Sequence, residues 1–377
     1  MKRSTKLIVT FILLATLCLT AALMLGGCGI IMLIGMSEQY VDVDGVRYEL
    51  NSNRNEAKAL YFYADKTLAD GEKQVCVVRD KITSRGTEYT VTAIGDYFEK
   101  GRDIIEGNAQ IGELVVPTTV SRITLNYYTG LDTLESINVS NFNPCYYSKD
   151  GVLFERTSYG LYLIYYPLGK TDDTFEFPAK LGNIYESSHI WENERLQSLE
   201  IEAGSSKYVS FNSALYSADG EALMLYPLHR TASTFVAHKN MRRIDLNSNF
   251  WQNGNVTKVD VEEDSKYLKA EGNALYSIDG SELVFRPNDG RPYFAIPSTV
   301  KVVSYNALRG ISYLYVPSSV AVFLDTFVEG GFDLTSINRI YFESEYLPKY
   351  LRSVEFSIQQ VRFGYSLDSF DELTGNL

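Results

Sequence analysis

The feature that most constrains this chain is one long pattern written three times at a constant interval. The segment NSALYSADGEALMLYP at 212–227 returns as GNALYSIDGSELVFRP at 272–287, and VLFERTSYGLYLIYYP ends at Pro167, as far before Pro227 as Pro287 lies after it. The flanks repeat in register as well. LESINV (134–139), LQSLEI (196–201) and VTKVDV (256–261) precede the copies, and FEFPAKLGNI (175–184), FVAHKNMRRI (235–244) and FAIPSTVKVV (294–303) follow them. Even Trp191 and Trp251 keep the interval. A chain that rewrites one pattern at a fixed period folds as an array, because each unit buries its apolar face only against its neighbours.

The unit itself reads as two coils. The step from Phe175 to Leu199 is about 24 residues and that from Leu199 to Phe235 about 36; without an insert of about 14 the longer step is about 22, and both are then solenoid coil lengths. Each coil carries a short alternating run such as Leu199-Glu200-Ile201, with apolar residues pointing one way and polar residues the other. Stacked runs of this kind make a parallel sheet over one shared core. Pro178 and Pro297 follow their runs directly and, lacking an N–H, end the ladder there. Within the insert, Asp219-Gly220 lies between two strand-like runs, which predicts a tight β-hairpin; three such hairpins are expected, near 145–167, 212–227 and 272–287.

Composition agrees with a β-rich fold. The 377 residues include 28 Tyr and 19 Phe, with 45% hydrophobic and 22% charged residues, a balance that builds cores and favours half-buried strands. The net charge of −12, with no cluster of Lys or Arg, argues against nucleic acid as a partner. With three histidines, none beside a Ser or Cys motif, and no glycine-rich phosphate loop, no enzyme activity and no cofactor are expected. DVDGVRYELNSN (42–53) begins like a calcium loop but lacks its later ligands, so Asp44-Gly45 reads as a turn between strands. Cys76 and Cys145 fit either one disulfide or two buried thiols.

Lys2, Arg3 and Lys6 precede a long apolar stretch, as in an export signal. Leu25-Gly26-Gly27-Cys28 resembles a bacterial lipobox, with Cys28 as the lipidated residue. The uncharged run continues from Leu7 to Met36, so a transmembrane anchor is the alternative. Both place the remainder outside the cytoplasm, at the cell surface and anchored to the membrane.

VVPTTVSRI, AIPSTVKVV and YVPSSVAVF resemble the strand-Pro-x-x-Val-x-x-Ile signature of BspA-like leucine-rich-repeat proteins, and YYSKDGVLFERTSYGLYLIYYPLGK resembles that family's hairpin. The resemblance covers roughly residues 40–345, although the Ala-Phe pair and following Cys usual in its coils are mostly missing and His238 stands where sister copies have Pro. It implies a non-enzymatic surface protein for adhesion or protein binding, with host or neighbouring-cell surface proteins as partners, and it supplies no fixed functional residues.

The expected fold is thus a β-rich solenoid of leucine-rich-repeat-like stacked coils with a parallel sheet and inserted β-hairpins. Residues 1–36 form the signal or anchor, 37–100 the N-terminal cap and entry repeats, 101–345 the solenoid, and 346–377 a C-terminal cap with a loose acidic tail. On the outward strand faces, Glu200, Glu202, Asp260, Glu262 and Tyr341 are the candidate binding residues, an acidic row suited to a basic partner. Trp191 and Trp251 are expected to fill one core slot in successive units. Tyr146, Tyr147, Tyr165, Tyr166, Tyr216, Tyr226 and Tyr276 fit two roles: packing the hairpins, or a surface that stacks on glycans. A glycan-binding protein and an envelope scaffold without a soluble ligand are the alternatives to a protein-binding adhesin.

Overall fold

The structure is a computed structural model and describes residues 40–375 apart from 64, 66, 70, 96–101, 104, 107–109, 126–127, 130, 306, 325–336, 347 and 350–357. Residues 1–36, expected as a signal or anchor and containing Cys28, lie outside the described residues. No described helix is long and apolar enough to cross a membrane. Contacts divide the chain into two compact units, ending and beginning at Arg156 and Thr157. Both are built from stacked, parallel β coils of the leucine-rich-repeat type.

The first unit opens with the antiparallel strands Tyr40–Val43, Val46–Asn51 and Glu56–Tyr63. Asp44 and Gly45 form the expected turn, both at positive φ (48° and 77°). Thr87–Ile94 then lies parallel to Glu56–Tyr63, which starts the coiling. Gln74–Val77, Ile111–Val116 and Ser136–Val139 form a three-stranded parallel ladder in which Leu114 stands beside Ile137. Both are fully buried, whereas Asn138 faces solvent. The strands are therefore set by the period-two alternation of their residues.

In the second unit the same runs pair as expected. Thr174–Phe177 lies parallel to Ser198–Ile201, with Phe175 beside Leu199, and Thr234–Ala237 lies parallel to Lys258–Val261, with Phe235 beside Val259. After each strand the chain turns through Pro178–Leu181, His238–Met241, Pro297–Val300 or Pro317–Val320, closed by a hydrogen bond from the fourth N–H to the first carbonyl (2.9, 2.8, 3.0 and 3.2 Å). The fourth residue of every one is buried. The Pro-x-x-Val signature is thus a turn that returns an apolar residue to the core.

The inserts are larger than hairpins. Tyr208–Phe211, Ala214–Ser217 and Ala222–Leu225 form a three-stranded antiparallel meander, repeated as Leu268–Glu271, Ala274–Ser277 and Glu282–Phe285. The Asp219-Gly220 turn is where the sequence puts it, and Gly220 is required there: at φ 74°, an added Cβ would lie 2.3 Å from the His238 ring. The preceding turn, Asn212-Ser213, holds both residues at positive φ (47° and 63°) without any glycine. The third meander strand belongs to the solenoid, since Ala222–Leu225 runs parallel to Arg243–Ile244 and Glu282–Phe285 to Val302–Val303.

These meanders also interrupt the outward ladder, which the repeat pattern alone suggests is continuous. The Leu199 N–H donates to the Ser213 carbonyl (3.2 Å) and the Val259 N–H to Asn273 Oδ1 (3.1 Å), both residues lying in the first meander turn. In the first unit the Ile137 N–H donates likewise to the Gly151 carbonyl (2.8 Å). The insert thereby occupies the edge on which the next coil strand would pair. Where no insert intervenes the ladder continues, and Tyr293–Ala295, Tyr313–Val316, Arg339–Phe342 and Val361–Phe363 form four strands in unbroken order.

Two further elements are not read from the sequence pattern, although Asn193 and Asn253 keep the repeat interval. Asn143, Asn193 and Asn253 are buried and act as two-way clips. Asn193 donates through Nδ2 to the carbonyls of Pro167, Leu168 and Lys170 (3.2, 3.0 and 2.9 Å) and accepts through Oδ1 from the N–H groups of Arg195 and Leu196 (both 3.0 Å). Asn253 repeats this set on Pro227, Leu228 and Arg230. At the C-terminus, residues expected as a loose tail form the helix Leu367–Thr374, capped by Ser366, whose Oγ accepts from the Ser369 N–H (3.2 Å). Its Phe370 is fully buried, which fixes the helix to the sheet.

Candidate functional site

The outward strand faces carry two kinds of surface in the second unit. On the first strand pair, Glu176 and Glu200 stand side by side in register and both are exposed. Like charges placed directly opposite on neighbouring strands are destabilising by a few tenths of a kcal/mol or more. Asp260 is also exposed, in register with Val236, and Lys258 lies beside Thr234. On the four-stranded ladder the row changes to Tyr293, Tyr313 and Arg339 in one register and Tyr315, Tyr341 and Arg362 in the next.

The five sequence-predicted residues differ in their surroundings. Glu200 and Asp260 face solvent as expected. Glu202 and Glu262 act differently, since Glu202 Oε2 accepts from the Ala179 N–H and Glu262 Oε2 from the Lys239 N–H (both 2.9 Å). Glu343 does the same for Ser318 (2.7 Å), and this hydrogen bonding holds its carboxyl below the usual glutamate range. Each glutamate follows its strand and caps the turn of the preceding coil. Tyr341 lies partly beneath the C-terminal helix, its ring 5.5 Å from Phe370 and 4.9 Å from Tyr365, so the sheet is covered at this point.

The meander tyrosines resolve toward packing. Tyr146, Tyr165, Tyr166, Tyr216, Tyr226 and Tyr276 are all buried, and Tyr147 packs against Phe154, ring to ring at 6.1 Å. Burial raises the pKa of Tyr146 and Tyr276 to about 12. Tyr226 sits in an aromatic cluster with Phe235 and Phe250, at ring separations of 5.8 and 5.0 Å. The six buried rings are therefore not available to stack on a glycan, whereas Tyr147 is half-buried.

The shared core slot belongs to Ile190 and Phe250, one residue before each tryptophan. Trp191 is half-buried and lines a small surface cavity with Tyr208 and Asp245, whereas Trp251 is buried with its ring 5.7 Å from Tyr305. Cys76 and Cys145 are free thiols, and burial pushes Cys76 up to about 12. His238 packs between Phe211 and Tyr216, and burial holds its pKa below the ordinary histidine value. Its Nδ1 accepts from the Asn240 N–H (3.1 Å), so it fixes the turn in place of the proline found in sister copies. Among the described residues no group of three or more His, Cys, Asp or Glu side chains is placed to hold a metal ion.

No protein-family model matches the sequence, and no curated protein matches it. Among solved structures the chain is similar to the pneumococcal vaccine antigen PcpA, at 12% identity over 88% of this chain and 89% of that one, with a TM-score of 0.43. It is also similar to a leucine-rich cell-surface protein from Faecalibacterium prausnitzii A2-165, at 14% identity over 88% and 96% of the two chains, with a TM-score of 0.37. A leucine-rich-repeat protein from Eubacterium ventriosum is 13% identical over 85% and 84%, with a TM-score of 0.36. These are likenesses in the course of the chain.

Proposed function

We propose that this chain is a non-enzymatic, membrane-anchored cell-surface protein that binds a protein of a host or neighbouring cell through the outward strand faces of its second unit. The observation that supports this most is the Glu176–Glu200 pair, two exposed carboxylates held in register on adjacent strands. Two like charges side by side add nothing to strand pairing, whereas a basic partner gains charge-assisted contacts from both. Asp260 is a further exposed carboxylate, on the next strand pair. Glu202 and Glu262 contribute to it through their charge while their Oε2 atoms hold the turns. The leader carries the anchor through Cys28 or through its apolar run.

The test is a screen of the full chain, held in detergent micelles, against arrays of matrix and plasma proteins, followed by Glu176→Gln/Glu200→Gln and Asp260→Asn variants. A saturable partner whose binding weakens with salt and falls at least about ten-fold in the double variant supports the reading. A partner bound equally well by the variants moves the site off this face. If the folded chain binds no protein, a scaffold without a soluble ligand replaces the adhesin.

A further inference from the structure

The coil that ends in Tyr313–Val316 is shorter than its sisters at one place. Between the core residue of the short helical turn and the next buried aliphatic, the second copy reads Phe250-Trp-Gln-Asn-Gly-Asn-Val256, while the third reads Ala307-Leu-Arg-Gly-Ile311. Two residues are gone, and with them the asparagine clip. The missing chain leaves a cavity of about 270 Å³ between the two turns, lined by Trp251, Gln252, Asn253, Asn288, Leu308 and Arg309, among others. It is smaller than the ~300–1,000 Å³ typical of drug-sized pockets and suits one sugar ring.

The charge in this cavity is unbalanced. Arg309 is half-buried, and its guanidinium donates to the Trp251 carbonyl. Among the described residues it has no carboxylate within ion-pair distance, although the chain carries 47 acidic residues against 35 basic ones. Burial disfavours its charge and pulls its pKa below the ordinary arginine value. Arg309 lines the cavity, and none of its nitrogens is a buried atom without a partner. Beside it stand the exposed amides of Gln252, whose Nε2 donates to Asn249 Oδ1 (3.4 Å), and Asn288, whose Oδ1 accepts from the Gly290 N–H (3.2 Å), so that Gln252 Oε1 and Asn288 Nδ2 are the atoms offered to a ligand. A primary amide both donates and accepts, as recognition of sugar hydroxyls requires.

We infer that this cavity is a subsite for a carboxylated sugar, a uronic or sialic acid residue, with Arg309 receiving the carboxylate, Gln252 and Asn288 the ring hydroxyls, and Leu308 and the edge of Trp251 the apolar face. A planar guanidinium matches a carboxylate in bidentate geometry. A single carboxylate is preferred to an acidic polypeptide because the cavity accepts one ring-sized group and the net charge of −12 repels a polyanion. This subsite lies apart in sequence from Glu176 and Glu200, and its success or failure is independent of the proposed protein-binding face.

The experiment is titration of the full chain in detergent micelles with glucuronic acid, N-acetylneuraminic acid methyl glycoside, glucose and N-acetylglutamate, read by tryptophan fluorescence and calorimetry. One or both acidic sugars should saturate, with glucose at least ten-fold weaker. Arg309→Gln should lose ten-fold or more, Arg309→Lys less, and molar salt should weaken binding. Gln252→Ala, at an exposed position, should lose a few-fold without changing the melting temperature, which keeps the test valid should Arg309→Gln fold poorly. The idea fails if neither acidic sugar saturates, if Arg309→Gln binds them unchanged, or if N-acetylglutamate binds as tightly as either sugar. Whichever acidic sugar binds more tightly identifies the source.

Discussion

Arg286 occupies the place that Tyr166 and Tyr226 hold in the sister copies, and it is fully buried. In those copies an asparagine clip closes the turn after the proline. In the third copy that asparagine is lost with the two deleted residues, and Arg286 supplies the donors from inside. Its Nη1 donates to the Arg309 carbonyl (2.7 Å), and its Nη2 to Asp289 Oδ1 (2.6 Å) and the Arg291 carbonyl (3.0 Å). Replacing it by Met keeps most of the volume and removes all three bonds. Each buried acceptor left unmet costs about 1–3 kcal/mol, and breaking a buried ion pair from one side costs about 3–5 kcal/mol. Arg291 remains on Asp289 through Nε (2.8 Å), which holds the total near the lower figure, about 3–4 kcal/mol. Arg286→Tyr should not rescue, because the sister tyrosines rely on an asparagine this coil lacks. The assay is urea denaturation of the full chain followed by tryptophan fluorescence. A Met variant within about 1 kcal/mol of the parent would refute the exchange of arginine for asparagine. The pH dependence has a defined sign. Burial opposes the Asp289 charge, but hydrogen bonds from Arg291 and Asn273 and the Arg286 charge outweigh it and bring its pKa to about 2. The native state thus binds fewer protons than the unfolded one. The stabilisation is fully present above the ordinary aspartate range and is lost as pH falls from about 4 through about 2.

Asn193→Ala should cost about 3–5 kcal/mol in the same denaturation assay, more than an exposed loop asparagine, because it abandons three buried carbonyls and two N–H groups at once. Leu199→Ala should cost about 2–5 kcal/mol and Glu200→Ala less than about 0.5 kcal/mol; equal effects would invert the assignment of inside and outside. Phe370→Ala should release the C-terminal helix and expose Tyr315 and Tyr341, read as early proteolysis just after Ser366 with the rest of the chain intact; unchanged proteolysis would mean that Phe370 is not the anchor.

What the sequence revealed was what repeats or alternates. The constant spacing of Pro167, Pro227 and Pro287 disclosed the coils, Leu199-Glu200-Ile201 its strand face, and Asp219-Gly220 its turn. What it concealed depends on single residues whose meaning is set by their surroundings. Asn193 and Asn253 keep the repeat interval, but spacing alone does not say that they are buried among carbonyls. Asn212-Ser213 holds positive φ without glycine, so in this copy the first meander turn is silent, although the sister turns Asp150-Gly151 and Gly272-Asn273 each carry a glycine. Glu202 and Glu262 share the alternation of outward residues, yet lie one step past their strands, within reach of a turn N–H. Phe370 is the single fully buried apolar anchor of an acidic segment, too little for a helical pattern.

The meander turn that receives the Leu199 N–H has a consequence for how such a chain changes length. A unit of two coils and one insert ends with its exposed edge already satisfied by its own Ser213 carbonyl, as the next ends with Asn273. On its other side the last meander strand pairs in parallel register with the unit that follows, Ala222–Leu225 with Arg243–Ile244 and Glu282–Phe285 with Val302–Val303. Because that pairing recurs at the same point of each repeat, gain or loss of one whole unit by recombination offers the neighbouring coil an equivalent strand to pair with, and a lineage can lengthen or shorten this protein in whole steps.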